Sequence, residues 1–132
     1  MPRFVVLLHD LPPPAERGLH WDLMLEHGAR LRTWALKVPP LPPVRMEAEL
    51  LPDHRLQYLE YEGVVSGGRG RVARWDQGTY VLLAADEHCW EAELYGRFAR
   101  GRLRLVHEAA QRWNLSLLND SLNTTGWRGL PT

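Results

Sequence analysis

The chain has 132 residues, 45% of them hydrophobic and 24% charged, with sixteen basic residues balanced by sixteen acidic ones. That length fits one globular domain over residues 1–132, able to bury a core without staples. The composition excludes three things. No apolar run approaches the roughly 20 residues of a membrane span. Neutrality removes any broad basic surface for gripping a long polyanion. Cys89, the lone cysteine, rules out an internal disulfide or a cysteine-based zinc site.

In chain order the pattern is β. Met1 to Leu8 lacks the charged region, apolar stretch and cleavage site of a signal peptide, so a cytoplasmic location is expected. Phe4–Leu8 is an apolar run of strand length. Pro12–Pro14 and Pro39–Pro43 read as ordered loops. Leu19–Glu26 alternates: Leu19, Trp21, Leu23 and Leu25 share one face, and His20, Asp22, Met24 and Glu26 the other. His27, Gly28 and Ala29 suggest a turn into a strand at Leu31–Lys37. Arg45–Leu51 is the one segment that reads as a short helix. Strands follow at Tyr58–Val65, Arg71–Trp75, Thr79–Ala84, Cys89–Tyr95, Arg102–His107 and Arg112–Leu118, with Asp76-Gln77-Gly78 as a hairpin turn. From Asn123 onward the pattern fades, and a loosely ordered tail is expected. The expectation is an all-β fold: a compact closed or partly open β-barrel of about eight short strands with at most one short helix.

His20 and Asp22, two apart on a strand, project from the same face while Trp21 and Leu23 anchor the other. If the first strand pairs with this one, His9 completes a set of two imidazoles and one carboxylate. Such a set suits Mn²⁺, Fe²⁺ or Zn²⁺ and leaves positions open for substrate. The same spacing also describes polar residues on a solvated strand face, and both readings stand at this point. His54 and Tyr58 form a second pair. Protonated His54 can neutralise a phosphate oxygen or protonate a leaving group, and the phenol can donate beside it; a surface loop histidine is the plainer reading. Arg69 and Arg71 sit among glycines, where a backbone approaches a phosphate closely. His27, His88 and His107 lack such partners, and the six tryptophans read as core.

Taken in order, these segments resemble the 3′-phosphoesterase domain of bacterial DNA ligase D and its stand-alone relatives, from Phe4 to about Asp120. The matching stretches are Phe4-Val5-Val6 leading to His9-Asp10, then His20-Trp21-Asp22-Leu23-Met24-Leu25-Glu26. Trp34-Ala35, Asp53-His54 with Tyr58, Glu62-Gly63-Val64, Gly70, Trp75-Asp76-Gln77-Gly78-Thr79 and the Trp113 strand follow. The resemblance implies a β-barrel that uses manganese on DNA 3′ ends, removing a terminal ribonucleoside and then the 3′-phosphate. It implies His9, His20 and Asp22 as metal ligands, and His54 with Tyr58 as phosphate contacts. It makes a separate ligase or polymerase a plausible partner.

Three departures stand out. Met24 occupies the family's Arg position, and a thioether cannot clamp phosphate as a guanidinium does; Arg69, Arg71, Arg45 or Lys37 are the candidates to replace it. The loop between His9 and His20 carries an extra Leu-Pro-Pro-Pro run. Better-characterised relatives carry an N-terminal arm that contributes to ribonucleoside removal, whereas the sequence here starts almost directly at the Phe4 strand. Two functions therefore follow from the resemblance: a metal-dependent 3′-phosphoesterase, or an end-binding module without turnover.

Overall fold

A computed structural model describes residues 1–13 and 17–119. They form nine antiparallel strands: β1 (Arg3–Asp10), β2 (Leu19–His27), β3 (Arg30–Leu36), β4 (Val44–Arg55), β5 (Gly63–Val64), β6 (Arg71–Ala85), β7 (Cys89–Gly96), β8 (Arg100–Ala109) and β9 (Arg112–Leu118). One 3₁₀ turn, Leu56–Leu59, follows β4. The strands lie in the order β1-β2-β3-β4-β9-β8-β7-β6-β5, and β6 also pairs with β1, so the sheet closes into a ring. The all-β expectation holds. No helix among the described residues is long and apolar enough to cross a membrane. The expected tail from Asn123 lies outside the described residues.

Strand alternation sorts the apolar residues into two clusters. One face of each strand fills the main core, where Phe4, Val6, Leu23, Leu25, Trp34, Trp113 and Tyr80 meet. The other face of β1 and β2 is covered as well: Val5, Leu7 and Met24 pack with Leu31, Val72, Tyr58, Leu59 and Val65. The 3₁₀ turn supplies Tyr58 and Leu59 of that cover. Each fully buried aliphatic side chain contributes about 1.5–3 kcal/mol, so both faces of β1 and β2 resist movement.

Four expectations need correction. Arg45–Leu51 is strand, part of β4. Its Met, Glu, Ala and Leu are good helix formers, but their period is two: Ala48 enters the main core with Met46 and Leu50 against it, and Arg45, Glu47 and Glu49 alternate with them. His54 lies at the end of that same strand rather than in a loop entering one. Tyr58–Val65 is the 3₁₀ turn followed by the two-residue β5.

Asp76-Gln77-Gly78 is not a turn but the middle of β6, which runs unbroken from Arg71 to Ala85. The buried Asp76 carboxylate is the reason. It accepts backbone N–H bonds from Gln77 (2.8 Å), Arg97 (3.0 Å), Phe98 (2.9 Å) and Ala99 (2.7 Å), pinning the β7–β8 turn onto β6. Gly78 marks a close approach of chains: a Cβ there would lie 2.2 Å from the Tyr95 carbonyl oxygen. Asp76→Ala would orphan several of these donors at once, so a loss on the order of 3 kcal/mol is expected in urea unfolding; a loss within experimental error would refute the pinning role.

Candidate metal centre

Antiparallel pairing of β1 with β2 sets His9 opposite His20 and Leu7 opposite Asp22. Opposed residues share a face, so His9, His20 and Asp22 extend the row of Val5, Leu7 and Met24 to the open end of the second cluster. One nitrogen or oxygen from each of the three lies within 4.8 Å of the others. The two imidazole rings stand 4.9 Å apart.

Carbonyl groups fix both rings. The Gly18 carbonyl accepts from His20 Nδ1 (3.1 Å), which leaves Nε2 as the bare lone pair. The Arg69 carbonyl accepts from His9 Nε2 (2.7 Å), turning Nδ1 toward Asp22 Oδ2 at 3.0 Å. His20 Nε2 sits 3.0 Å from Asp22 Oδ1, but off the direction of a hydrogen bond. Both atoms are buried, and neither has a hydrogen-bond partner. Buried polar atoms without partners cost about 1–3 kcal/mol each, and two such atoms side by side aimed at one point are what a cation would satisfy. The donor set therefore fits a divalent metal.

The protonation states follow from the surroundings. Burial opposes a charge on His9. The Asp22 hydrogen bond, the Arg69 carbonyl and the Asp22 charge outweigh it, and the His9 pKa is raised. Burial also favours a neutral Asp22, but the His20 and His9 imidazoles beside it hold the carboxyl below its ordinary value. Asp22 is thus a carboxylate at neutral pH, as a ligand must be.

The triad opens onto a cleft of about 500 Å³ whose lining includes His54, Tyr58 and Arg69. Tyr58 packs edge-on against the His54 ring at 5.6 Å. The Pro52 carbonyl accepts from His54 Nδ1 (2.9 Å), leaving Nε2 available. Arg71 is not in the cleft lining; its neighbour Val72 takes the place against the second cluster. Lys37 lines an adjoining groove of about 930 Å³, and Arg45 lines neither. Met24 shares the face of His20 and Asp22 but is 1% exposed under the second cluster and does not reach the cleft. Three cleft residues went unseen in the sequence: Arg17, Arg30 and Arg55. Arg17 is held by Glu49 through two bonds, of 3.2 and 2.9 Å.

The class is thus a ring-like closed β-sheet carrying a two-histidine, one-carboxylate cluster that could hold a metal ion, beside a histidine–tyrosine cleft. Residues 14–117 match the family described as the DNA Ligase D 3′-phosphoesterase domain, and the chain belongs to that family. It is also 36% identical over 86 residues to the Multifunctional non-homologous end joining protein LigD of Pseudomonas aeruginosa. That alignment covers 61% of this chain and 10% of the relative, so the chain matches about a tenth of that protein's length.

Two variants test the packing of the site. Gly70 has φ +79°, and a Cβ there would lie 1.8 Å from the Asp10 carbonyl oxygen. Gly70→Ala therefore shifts the segment carrying the Arg69 carbonyl, and ¹⁵N NMR should show His9 losing its fixed Nε2–H state; an unchanged His9 spectrum would sink the link. Met24→Arg forces a charge into an apolar cluster and should cost on the order of 3 kcal/mol in thermal or urea unfolding. Wild-type stability in that variant would show that position 24 does open to the cleft.

Proposed function

We propose that this protein is a metal-dependent phosphoesterase that acts on 3′-phosphorylated DNA ends in repair, with manganese as the ion. The observation that carries the reading is the pair of buried, unbonded atoms His20 Nε2 and Asp22 Oδ1 at the head of a cleft shared with His54 and Tyr58. Family membership and the end-joining name of the Pseudomonas aeruginosa relative support DNA ends as the substrate.

The residues divide the work. His20 Nε2, Asp22 Oδ1 and His9 Nδ1 would hold the ion, with Zn²⁺ or another transition metal as alternatives to Mn²⁺. Bound there, the ion supplies charge to polarise a phosphoryl oxygen and to make a water more acidic. To hold the ion, His9 would release to solvent the Nδ1 proton it shares with Asp22, while the Gly18 and Arg69 carbonyls keep both rings oriented. The imidazolium form of His54, with its Nδ1–H held by the Pro52 carbonyl, donates its Nε2 proton to the departing 3′-oxygen. Tyr58, braced against His54, donates its phenol proton in a hydrogen bond to a phosphoryl oxygen. Arg69 brings a positive side chain to the same cleft. The 3′-hydroxyl product suits a polymerase or ligase acting next.

The test uses a primer–template ending in 3′-phosphate, with and without Mn²⁺. A 3′-hydroxyl product is expected with metal and not with chelator. Asp22→Asn should abolish turnover, and His54→Ala should lower kcat by about 100-fold or more. Binding without conversion by the wild type would replace the enzyme with an end-binding module, which the burial of Met24 favours as the second reading.

A further inference from the structure

Beyond the triad, His54 and Tyr58, the cleft holds a cluster of charge of which the proposed chemistry uses only Arg69. Its lining includes four arginines, Arg17, Arg30, Arg55 and Arg69, against two aspartates, Asp22 and Asp53. The chain as a whole is neutral, with sixteen charges of each sign. The local excess is therefore a focused one. Asp22 is hydrogen-bonded to His9 and lies beside His20, and Arg17 is paired with Glu49.

Arg30 and Arg55 are placed unusually. They are register partners, directly opposite each other where β3 pairs with β4. Like charges opposed across neighbouring strands destabilise a sheet. Neither has an ion-pair partner among the described residues. The Arg30 guanidinium donates only to the Asp53 backbone carbonyl (3.1 Å), which orients it without neutralising it. A pair that costs stability and has no internal counter-charge is a local conflict of the kind that marks a binding site. An anion between the two guanidinium groups removes the conflict, because each can offer a two-point clamp to phosphate.

The pair also lies at a definite place in the cleft. β2 carries Asp22 opposite Ala35 of β3, and five residues further on it carries His27 opposite Arg30. At about 3.3 Å per residue the Arg30–Arg55 rung is about 16 Å along the sheet from Asp22. His54, opposite Leu31, falls one rung nearer the triad. Along the strands the order is metal ligands, then His54, then the arginine pair; the odd offset from Asp22 starts the pair on the opposite face, beside His27, so the two side chains join the cleft lining around the strand ends.

We propose that Arg30 and Arg55 form an anion subsite holding an inner phosphate of the DNA strand whose 3′ terminus lies at the metal centre. This rests on the phosphoesterase reading for the position of the strand, though not for the binding of the anion. The subsite makes the protein prefer a polynucleotide end to a small 3′-phosphate. It replaces, from a different strand, positive charge that Met24 does not supply.

The experiment compares the wild type with Arg30→Ala and Arg55→Ala on two probes: a 3′-phosphorylated oligonucleotide and a nucleoside 3′-monophosphate. Each variant should raise KM for the oligonucleotide about tenfold, the effect of removing one charge-assisted hydrogen bond, with kcat unchanged. Turnover of the nucleoside 3′-monophosphate should stay at the wild-type value. Oligonucleotide affinity by fluorescence anisotropy should depend less on salt, the log–log slope falling by about 0.7 for each phosphate no longer neutralised. Arg55→Lys should recover most of the salt slope and less of the affinity. Thermal unfolding of Arg55→Ala should match or exceed the wild type, since it relieves a like-charge pair. An unchanged KM and salt slope, or equal losses on both probes, would overturn the subsite. If the wild type turns over neither probe, the phosphoesterase reading fails, and the anisotropy series still decides the subsite on its own.

Discussion

The register of β1 against β2 is the constraint on which the site depends. It sets His9 opposite His20 and Leu7 opposite Asp22, and it is held from both sides. Phe4, Val6, Leu23 and Leu25 lock one face into the main core, and Val5, Leu7 and Met24 lock the other beneath the 3₁₀ turn. A slip of one residue in β2 would turn His20 and Asp22 toward Trp34 and Trp113. The polar triad is held firmly because the strands that carry it are packed on both faces.

That rigidity also accounts for the burial of the triad. His20 is 2% exposed and Asp22 1%, values expected of an aliphatic core rather than of ionisable groups. Backbone carbonyls meet one nitrogen of each histidine, and Asp22 Oδ2 meets the second nitrogen of His9. His20 Nε2 and Asp22 Oδ1 are left over. A fold selected for stability alone would place apolar residues at these positions, because a buried charge network rarely gains on a packed aliphatic one. The residue types suit a group that could hold a cation, with the ring orientations set by the Gly18 and Arg69 carbonyls.

The sequence made β1, β2, β3, β7, β8 and β9 legible because their alternation or apolar runs match the strand period with little interference. It made His20 and Asp22 legible for the same reason: residues two apart on a strand must share a face. β4 was hidden by composition, since Met46, Glu47, Ala48 and Glu49 favour a helix until tertiary packing draws Ala48 inward. Asp76 and Gly78 mimicked a hairpin because a carboxylate that caps backbone donors and a glycine that lets chains touch look the same in sequence as a turn. His54 and Tyr58 were visible as a pair, but their entry into the cleft depends on the 3₁₀ turn folding back over β1, which no local pattern announces. Arg30 and Arg55 were out of reach altogether. Their opposition depends on a register that passes through an irregularity between Leu31 and Thr33.

Met24 shows how packing and charge are kept apart in this sheet. Periodicity puts it on the face of His20 and Asp22, and the family resemblance makes that position one for a clamping guanidinium. In the fold it is a core residue, sealed with Leu31, Tyr58 and Leu59. An arginine there would have to leave that cluster to reach a phosphate, and the strand pair that fixes the triad would lose part of its cover. Methionine is a flexible filler for such a gap, so the position serves the rigidity of the strands that carry His9, His20 and Asp22. The positive charge of the cleft is carried by side chains whose stems start at strand ends, Arg30 on β3 and Arg55 on β4, where guanidinium groups stay solvated without disturbing the packed rows. The two-histidine, one-carboxylate cluster and the exposed arginine pair thus fall to different parts of the sheet.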